Sequence, residues 1–309
     1  MMRSILLPVI CLTTAWTNVA WSQSSQSAEA GQPAADDLAK KLQNPIADLI
    51  SVPLQSNFDF GGGFDLPSGR SSRLLQRVLP PGPARAASRV LSFALRDEPD
   101  RDQAFRYTLN VQPVIPFSLT RDWNVISRTI LPVLNQDDVR GVSSQGGLGD
   151  VLQSFFLSPK SSEPFIWGAG PVFLFPTATD DSLGAERWGM GPTGVILKQS
   201  GPWTYGLLAN HIWSFARDDQ RKEINATYLQ PFLSYTFKTA TTLTCSSEST
   251  YDWVGDQWTV PLIGGVSQLV KIGRLPVSLG VNGKYWVEGP DSAPDWGVRF
   301  TMTFLFPAS

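Results

Sequence analysis

The chain has 309 residues and a formal net charge of -2, so its composition gives no electrostatic basis for binding nucleic acid. Charged residues make up only 17% of the sequence, whereas aromatic residues make up 11% and include 11 tryptophans. No run approaches the ~20 apolar residues that a transmembrane helix requires. These features exclude insertion into a membrane by helices and allow insertion by β-strands.

The first residues have the pattern of a secretory signal peptide. A positive start at Arg3 precedes an apolar core over 5–19, and small residues flank a cleavage position after Ser22. We therefore predict that residues 1–22 are a signal peptide. Cys11 would leave with it, and the remaining Cys245 has no partner for an internal disulfide.

Residues 23–46 are predicted to be a periplasmic linker that contains a short helix. The linker is rich in Ser, Gln, Ala and Gly. A helix is expected over 35–43, because two acidic residues near its start and two lysines near its end complement the helix dipole. We expect a solvated leader here rather than a plug inside a pore.

From residue 47 to 309 the sequence changes to a period of two, which is typical of β-strands with two different faces. In the last run, Trp296, Phe300 and Phe306 share one parity, while Arg299 and Thr303 share the other. The sequence contains twelve such runs, and each is about as long as a tilted membrane-spanning strand. The runs are 52–60, 105–119, 123–133, 147–157, 165–176, 189–199, 202–215, 224–237, 241–253, 257–271, 275–288 and 295–306.

Short and long connections alternate between these runs. Two to six residues join some pairs, as at 200–201, and longer polar segments join the others, as at 178–188, although the connection at 254–256 is barely a loop. This alternation predicts an all-β, up-and-down antiparallel transmembrane barrel of about twelve strands, with short periplasmic turns and longer outer loops. An irregularity is expected at Pro231, because proline cannot donate a hydrogen bond to a neighbouring strand.

Tryptophan and tyrosine residues gather where the predicted strands meet the loops. Their rings favour the headgroup depth of a bilayer, because one end is apolar and the other forms hydrogen bonds. We expect these residues to form aromatic girdles. They are Trp123, Trp188, Trp203, Tyr205, Trp213, Tyr251, Trp253, Trp258, Trp286 and Trp296.

An arginine-rich insertion over 64–103 interrupts the pattern and would be the first outer loop. Seven arginines surround a proline-rich stretch, and apolar residues recur at helical spacing. Two readings remain open: a basic loop that contacts lipopolysaccharide phosphates or an anionic solute, and a poorly ordered insertion. The second is favoured.

Signals for catalysis or metal binding are sparse. His211 is the only histidine, so a histidine metal cluster is excluded, and neither a metal nor a cofactor is predicted. A pairing of His211 with Ser214 would be the basis of a lipid hydrolase on the barrel wall, but a structural role for His211 is favoured. Adjacent acids such as Asp180 and Asp181 could hold Ca²⁺, although a solvated loop is the expected role.

The lumen is the predicted location of function. If the aromatic parity faces lipid, a set of polar and charged residues must point inward, because a charge facing lipid at mid-depth costs roughly 2–4 kcal/mol. The three cations of this set can pair with Glu248 or line a path for solute; a salt-bridged interior that fills the barrel is the alternative. The set is Asn110, Gln112, Arg128, Glu248, Lys284 and Arg299.

From Asn57 onward the chain resembles an outer-membrane family labelled either for phenol meta-pathway degradation or simply as transporters. The resemblance lies in residues 106–116, 123–133, 147–159, 167–180, 201–215 and 250–261. It implies an outer-membrane barrel for the passage of small hydrophobic or aromatic compounds, and it supplies no catalytic residues. The 64–103 insertion departs from the family, which turns there with a short loop.

Together these features predict an outer-membrane channel or transporter for small solutes, hydrophobic or aromatic ones among them, and not an enzyme. A wall-bound lipid hydrolase and a purely structural barrel are the alternatives. The expected partners are outer-membrane lipids and lipopolysaccharide, a small-molecule solute and the barrel-assembly machinery. No nucleic acid is expected, and the sequence does not predict an oligomeric state.

Overall fold

The structure is a computed structural model that describes residues 35–61, 104–137, 144–215 and 223–306. The predicted signal peptide and the 64–103 insertion lie outside these ranges. The described elements are α1 (Ala35–Lys41), β1 (Ile50–Phe60), β2 (Phe105–Val111), β3 (Val114–Ser118), β4 (Trp123–Asp137), β5 (Gln145–Leu148), β6 (Val151–Pro159), β7 (Ile166–Phe175), β8 (Gly189–Ser200), β9 (Trp203–Ser214), β10 (Asn225–Thr236), β11 (Thr241–Ser247), β12 (Ser249–Asp252), β13 (Gln257–Ile272), β14 (Leu275–Glu288) and β15 (Trp296–Phe306).

Three of the twelve barrel strands are interrupted, so that β2 with β3, β5 with β6, and β11 with β12 each form one strand in two pieces. Pro113 lies at the first interruption and has no N–H to donate to the ladder. Gly149 and Asp150 separate the second pair, and Glu248 separates the third. The broken pieces keep the strand count at twelve.

The barrel closes by pairing its first and last strands. β1 runs antiparallel to β15 over its whole length, from Ile50 opposite Phe306 to Phe60 opposite Trp296. The other strands each pair with their neighbours along the chain, also antiparallel. The structure therefore confirms the predicted up-and-down antiparallel β-barrel of twelve strands.

The connections divide between the two ends of the barrel. Short turns, such as 201–202 and 273–274, lie at the end where β1 begins and β15 finishes. The longer connections, including 176–188 and 289–295, lie at the opposite end. These are called the turn end and the loop end below.

The two faces of the wall differ as the alternation predicts. In β15, Trp296 and Phe300 are about half exposed on the outer face, whereas Arg299 and Leu305 are buried on the inner face. One predicted girdle residue is an exception. Trp286 lies on the inner face, with Lys284 Nζ 4.7 Å from its ring centroid, and Tyr285 takes the outer position. Trp286 has the parity of Lys284 within β14, so alternation itself places it inside, and the girdle expectation is wrong for this residue.

Residues 35–49, called the inner segment, lie inside the barrel at its turn end. Ala39 of α1 is buried against Ala240, Leu269 and Leu305. Further along, Ile46 is buried among apolar side chains of the inner wall, which are Val114, Ile126, Phe156, Val195, Leu197 and Leu208. The expectation of a solvated leader is therefore wrong for these residues, because their apolar side chains have the barrel interior as a partner.

Within the described ranges, no helix combines the length and the apolar character needed to cross a membrane.

Candidate functional site

An ion pair crosses one side of the lumen between β15 and the interruption in the β11–β12 strand. Arg299 Nη1 donates to Glu248 Oε1 at 2.7 Å, and Arg299 Nη2 donates to Glu248 Oε2 at 2.8 Å. This parallel arrangement of two bonds is the strongest geometry for a guanidinium and a carboxylate. The Arg299 side chain is 9% exposed and that of Glu248 is 24% exposed, so the pair is largely shielded from water.

A second ion pair lies at the seam where the barrel closes. Lys284 Nζ donates to Asp59 Oδ1 at 2.7 Å and to Asn57 Oδ1 at 3.4 Å. Arg299 Nε donates to the same Asn57 oxygen at 2.6 Å, so Asn57 joins the two pairs. The set Asn57, Asp59, Glu248, Lys284 and Arg299 is called the ionic belt.

A glycine makes the seam contact geometrically feasible. Gly297 stands between Lys284 and Asp59 in the register of β14, β15 and β1. A Cβ atom at this position would come within 2.8 Å of Phe58 O and would also contact the Asp59 carboxylate. The missing side chain therefore lets Lys284 reach across β15 to Asp59.

Local sequence explains how Glu248 comes to face the lumen at a strand interruption. The registers on both sides place it opposite Gln230 and Pro261 in the flanking strands. Proline donates no ladder hydrogen bond, and Pro231 stands next to Gln230. The irregularity predicted at Pro231 itself does not occur, since β10 continues from Asn225 to Thr236 in regular register with β9; the interruption lies at Glu248 in the neighbouring strand.

A separate polar chain begins at the interruption between β2 and β3. Arg128 Nη2 donates to Gln112 Oε1 at 3.1 Å, and Gln112 Nε2 donates to Gln55 Oε1 at 2.9 Å. Gln112 is buried, so its amide is held between the two partners and fixes the position of the guanidinium.

A cavity of about 280 Å³ connects these groups with the inner segment. Its polar lining includes Gln112, Arg128, Glu248 and Arg299. Its apolar lining includes Leu42 and Pro45 of the inner segment together with Val114, Phe232 and Ile263 of the wall. The cavity therefore has a charged side and an apolar side.

All six residues predicted for the lumen lie on the inner wall. Gln112, Arg128, Glu248 and Arg299 line the cavity, and Lys284 lies beside it in the ionic belt. Asn110 is opposite Gln55 in the register, which places it on the inner face outside the cavity lining. The predicted pairing with Glu248 holds for Arg299, whereas Lys284 pairs with Asp59.

Sequence reasoning missed Asn57, Asp59 and Gln55 as members of the site. The signal was present, because in β1 these residues alternate with Ser56, Phe58 and Phe60. What alternation cannot show is which residue of the last strands they meet, since that depends on the register of the closing seam.

His211 lies on the outer face, away from the lumen. Its Nδ1 is 2.7 Å from Thr227 Oγ1, and the hydroxyl of Thr227 also accepts a hydrogen bond from Trp253 Nε1 at 2.8 Å. Ser214 lies three residues along β9, on the opposite face, and its hydroxyl accepts a bond from the backbone N–H of Ile224. The structure therefore does not bring His211 and Ser214 together.

The 176–188 loop is tied to the barrel mouth by carboxylates. Asp150 Oδ1 accepts the N–H of Ala178 at 3.1 Å, and its Oδ2 accepts the N–H of Ala185 at 2.6 Å. Asp180 accepts bonds from the N–H and the hydroxyl of Ser182, which lower the pKa of its carboxyl group. Asp180 is thus engaged in loop structure, and no cluster of three or more metal-binding side chains occurs among the described residues.

Three of the solved structures that resemble this chain are as follows. An outer membrane channel from Pseudomonas putida F1 superimposes with a TM-score of 0.59 and 14% identity, covering 84% of this chain and 96% of that chain. Outer membrane phospholipase A from Escherichia coli has a TM-score of 0.41 and 10% identity, covering 90% of this chain and 100% of that chain. LpxR from Salmonella typhimurium has a TM-score of 0.40 and 10% identity, with 83% and 100% covered.

The channel comparison supports the barrel architecture at the level of fold. The sequence matches no protein-family model and no curated protein.

Proposed function

We propose that the protein is an outer-membrane channel that lets small solutes cross the barrel and that its own inner segment restricts the passage at the turn end. The observation that carries this proposal is a polar, cavity-containing lumen inside a closed barrel whose outer face is apolar and aromatic. An outer face of this kind is suited to acyl chains, and short turns are typical of the periplasmic side.

If side chains only filled the barrel interior, as in a purely structural barrel, no cavity would remain inside it. Twelve strands enclose more room than the eight that side chains can fill, and less than the sixteen of an open aqueous pore. Here the space is divided between the cavity and the inner segment. The segment occupies the lumen without belonging to the strand ladder, so it can be displaced while the wall stays closed.

The proposal includes small aromatic solutes, because the chain resembles an outer-membrane family labelled either for phenol meta-pathway degradation or simply as transporters. The resemblance lies in residues 106–116, 123–133, 147–159, 167–180, 201–215 and 250–261. The label supports passage of small aromatic solutes. The apolar side of the cavity, formed in part by Phe232 and Val114, is suited to a ring or a short hydrocarbon body.

Conductance in planar lipid bilayers tests the channel directly. The full chain should give small single-channel steps, and a variant lacking residues 35–49 should give steps about tenfold larger, because the turn end is no longer filled. A barrel that stays folded in both forms but passes no current in either would contradict the proposal and favour a purely structural barrel. Equal conductance of the two forms would contradict the restricting role of the inner segment.

A further inference from the structure

Arg128 differs in its partners from Lys284 and Arg299, the two cations of the ionic belt on the inner wall. Lys284 is paired with Asp59, and Arg299 is paired with Glu248. Among the residues that the structure describes, Arg128 has no carboxylate within ion-pair distance, and its hydrogen bond goes to the neutral amide of Gln112. A guanidinium carries five N–H donors, so most of those on Arg128 remain free to bind a ligand.

We infer that Arg128 and the adjoining cavity form a binding site for a small organic carboxylate with an apolar body. This inference rests on the proposed channel function, because it names the class of solute that the lumen receives. The carboxylate would bind Arg128, and the body would lie against the inner segment and the neighbouring wall.

The charged end of the site is already oriented. Gln55 holds Gln112, and Gln112 in turn holds one arm of the Arg128 guanidinium. A planar guanidinium fixed in this way matches the two oxygens of a carboxylate without a further cost of ordering the side chain. Glu248 lines the same cavity, but both of its oxygens are bound by Arg299, and its ion pair is with Arg299 and not with Arg128.

The apolar end begins next to the guanidinium. Val114 is directly opposite Arg128 in the register of β3 and β4, so the two side chains are neighbours on the inner face. Val114 also packs with Ile46 of the inner segment, and Phe232 packs against the same cluster. A ligand bound to Arg128 would therefore be next to the apolar side chain of Val114.

Size and charge restrict the ligand further. The cavity volume of about 280 Å³ is just below the ~300–1,000 Å³ typical of small-molecule sites, which favours a single ring or a short chain. A cation would be repelled by the unpaired guanidinium, and a neutral alcohol would form at most neutral hydrogen bonds. The site should therefore prefer benzoate to benzyl alcohol, and both to benzylammonium.

Titration calorimetry of the detergent-solubilised full chain tests this order without any substitution. Benzoate should bind about tenfold more tightly than benzyl alcohol, because a charge-assisted bond is stronger than a neutral one, and benzylammonium should not bind. Equal binding of benzoate and benzyl alcohol would overturn the inference, and so would absence of benzoate binding.

Substitutions then locate the site. Arg128→Gln should weaken benzoate binding about tenfold or more and leave benzyl alcohol binding nearly unchanged, whereas Arg128→Lys should recover part of the benzoate affinity. Arg121→Gln is the matched control, because Arg121 is exposed in the turn before β4 and the charge change is the same. Unchanged benzoate binding by Arg128→Gln, or equal losses in Arg128→Gln and Arg121→Gln, would overturn the inference.

The channel and the binding site can fail separately. Suppose that benzoate binding depends on Arg128 but that the protein conducts no current, even without residues 35–49. The binding site would then be supported and the channel function contradicted. Conductance without benzoate binding would retain the channel and overturn the carboxylate site.

Discussion

The ionic belt and the inner segment both occupy the lumen, but they are held in different ways. The belt joins β1, β14, β15 and Glu248 by charged groups on the wall itself, and part of it crosses the closing seam. The inner segment lies against the wall mainly through apolar contacts, with a bond from Gln199 Nε2 to Lys40 O at 3.0 Å among its polar links. The belt is therefore part of the closed barrel, whereas the segment is a separate layer within it.

Because of this difference, we expect the ionic belt to determine the stability of the barrel and the inner segment to determine how far the lumen is open. Loss of a belt charge leaves its partner shielded from water and unpaired, which destabilises the folded barrel. Loss of an apolar contact in the inner segment weakens docking of the segment but leaves the strand ladder intact. Two measurements test this comparison, and a third probes a loop that belongs to neither region; they follow in order of decreasing effect on the barrel.

The largest effect is expected for Glu248→Gln. The substitution keeps the size of the side chain but leaves Arg299 without its counter-charge, and we expect the free energy of unfolding to fall by about 3 kcal/mol. This lies at the low end for a buried pair because the Glu248 side chain is 24% exposed. Denaturant unfolding in detergent, followed by tryptophan fluorescence, measures the change.

Glu288→Gln is the matched control for that substitution. Glu288 is exposed at the loop end of β14, and its loss should change the unfolding free energy by less than about 0.5 kcal/mol. If both variants unfolded at the same denaturant concentration as the unsubstituted protein, the belt would have no structural role.

A smaller loss of stability with a larger change in conductance is expected for Ile46→Asp. A carboxylate cannot remain among the apolar side chains around Ile46, so the inner segment should leave its site. We expect about 1–2 kcal/mol less unfolding free energy, because only the docking of the segment is lost. Single-channel conductance should rise toward that of the variant lacking 35–49.

The control for Ile46→Asp is Asp48→Ala, which changes an exposed residue of the same segment. Its conductance should equal that of the unsubstituted protein. If Ile46→Asp also conducted like the unsubstituted protein, the apolar contacts would not be what holds the segment in the lumen.

The smallest effect concerns Asp180 in the loop at the barrel mouth. The bonds from Ser182 lower the pKa of Asp180, so their contribution is present above the usual pKa of aspartate and is lost as the pH falls through the lowered value. The amide resonance of Ser182 should therefore shift in acid, without a measurable change in barrel stability. Asp180→Asn should abolish this titration, and Asp291→Asn should preserve it; a titration that survives in Asp180→Asn would contradict the assignment.

The face of many wall residues could be predicted from alternation, because the positions of residues within one strand show which side chains share a face. The run ending at Phe306 gave the inner position of Arg299 and the outer position of Phe300 before any partner strand was known. Trp286 follows the same rule, because it has the parity of the inward-facing Lys284; the girdle expectation for Trp286 is wrong because it came from the position of the residue near a loop and not from its parity.

The partners within the lumen could not be predicted in the same way. Lys284 and Asp59 are more than two hundred residues apart, and they meet because the first and last strands pair in one register with Gly297 between them. The prediction of a solvated leader for the inner segment was also wrong. Its composition indicates a short helix, but its burial depends on an apolar interior that exists only after twelve strands have closed.

By itself the sequence determined the number of strands, the two faces of the clearly alternating strands and the alternation of short and long connections, because a period of two and the turn residues are local properties of the chain. Only the tertiary structure decided that Asp59 meets Lys284, that Arg128 lacks a carboxylate partner among the described residues, and that residues 35–49 enter the lumen. These contacts depend on the closing register, which couples residues that no local pattern connects.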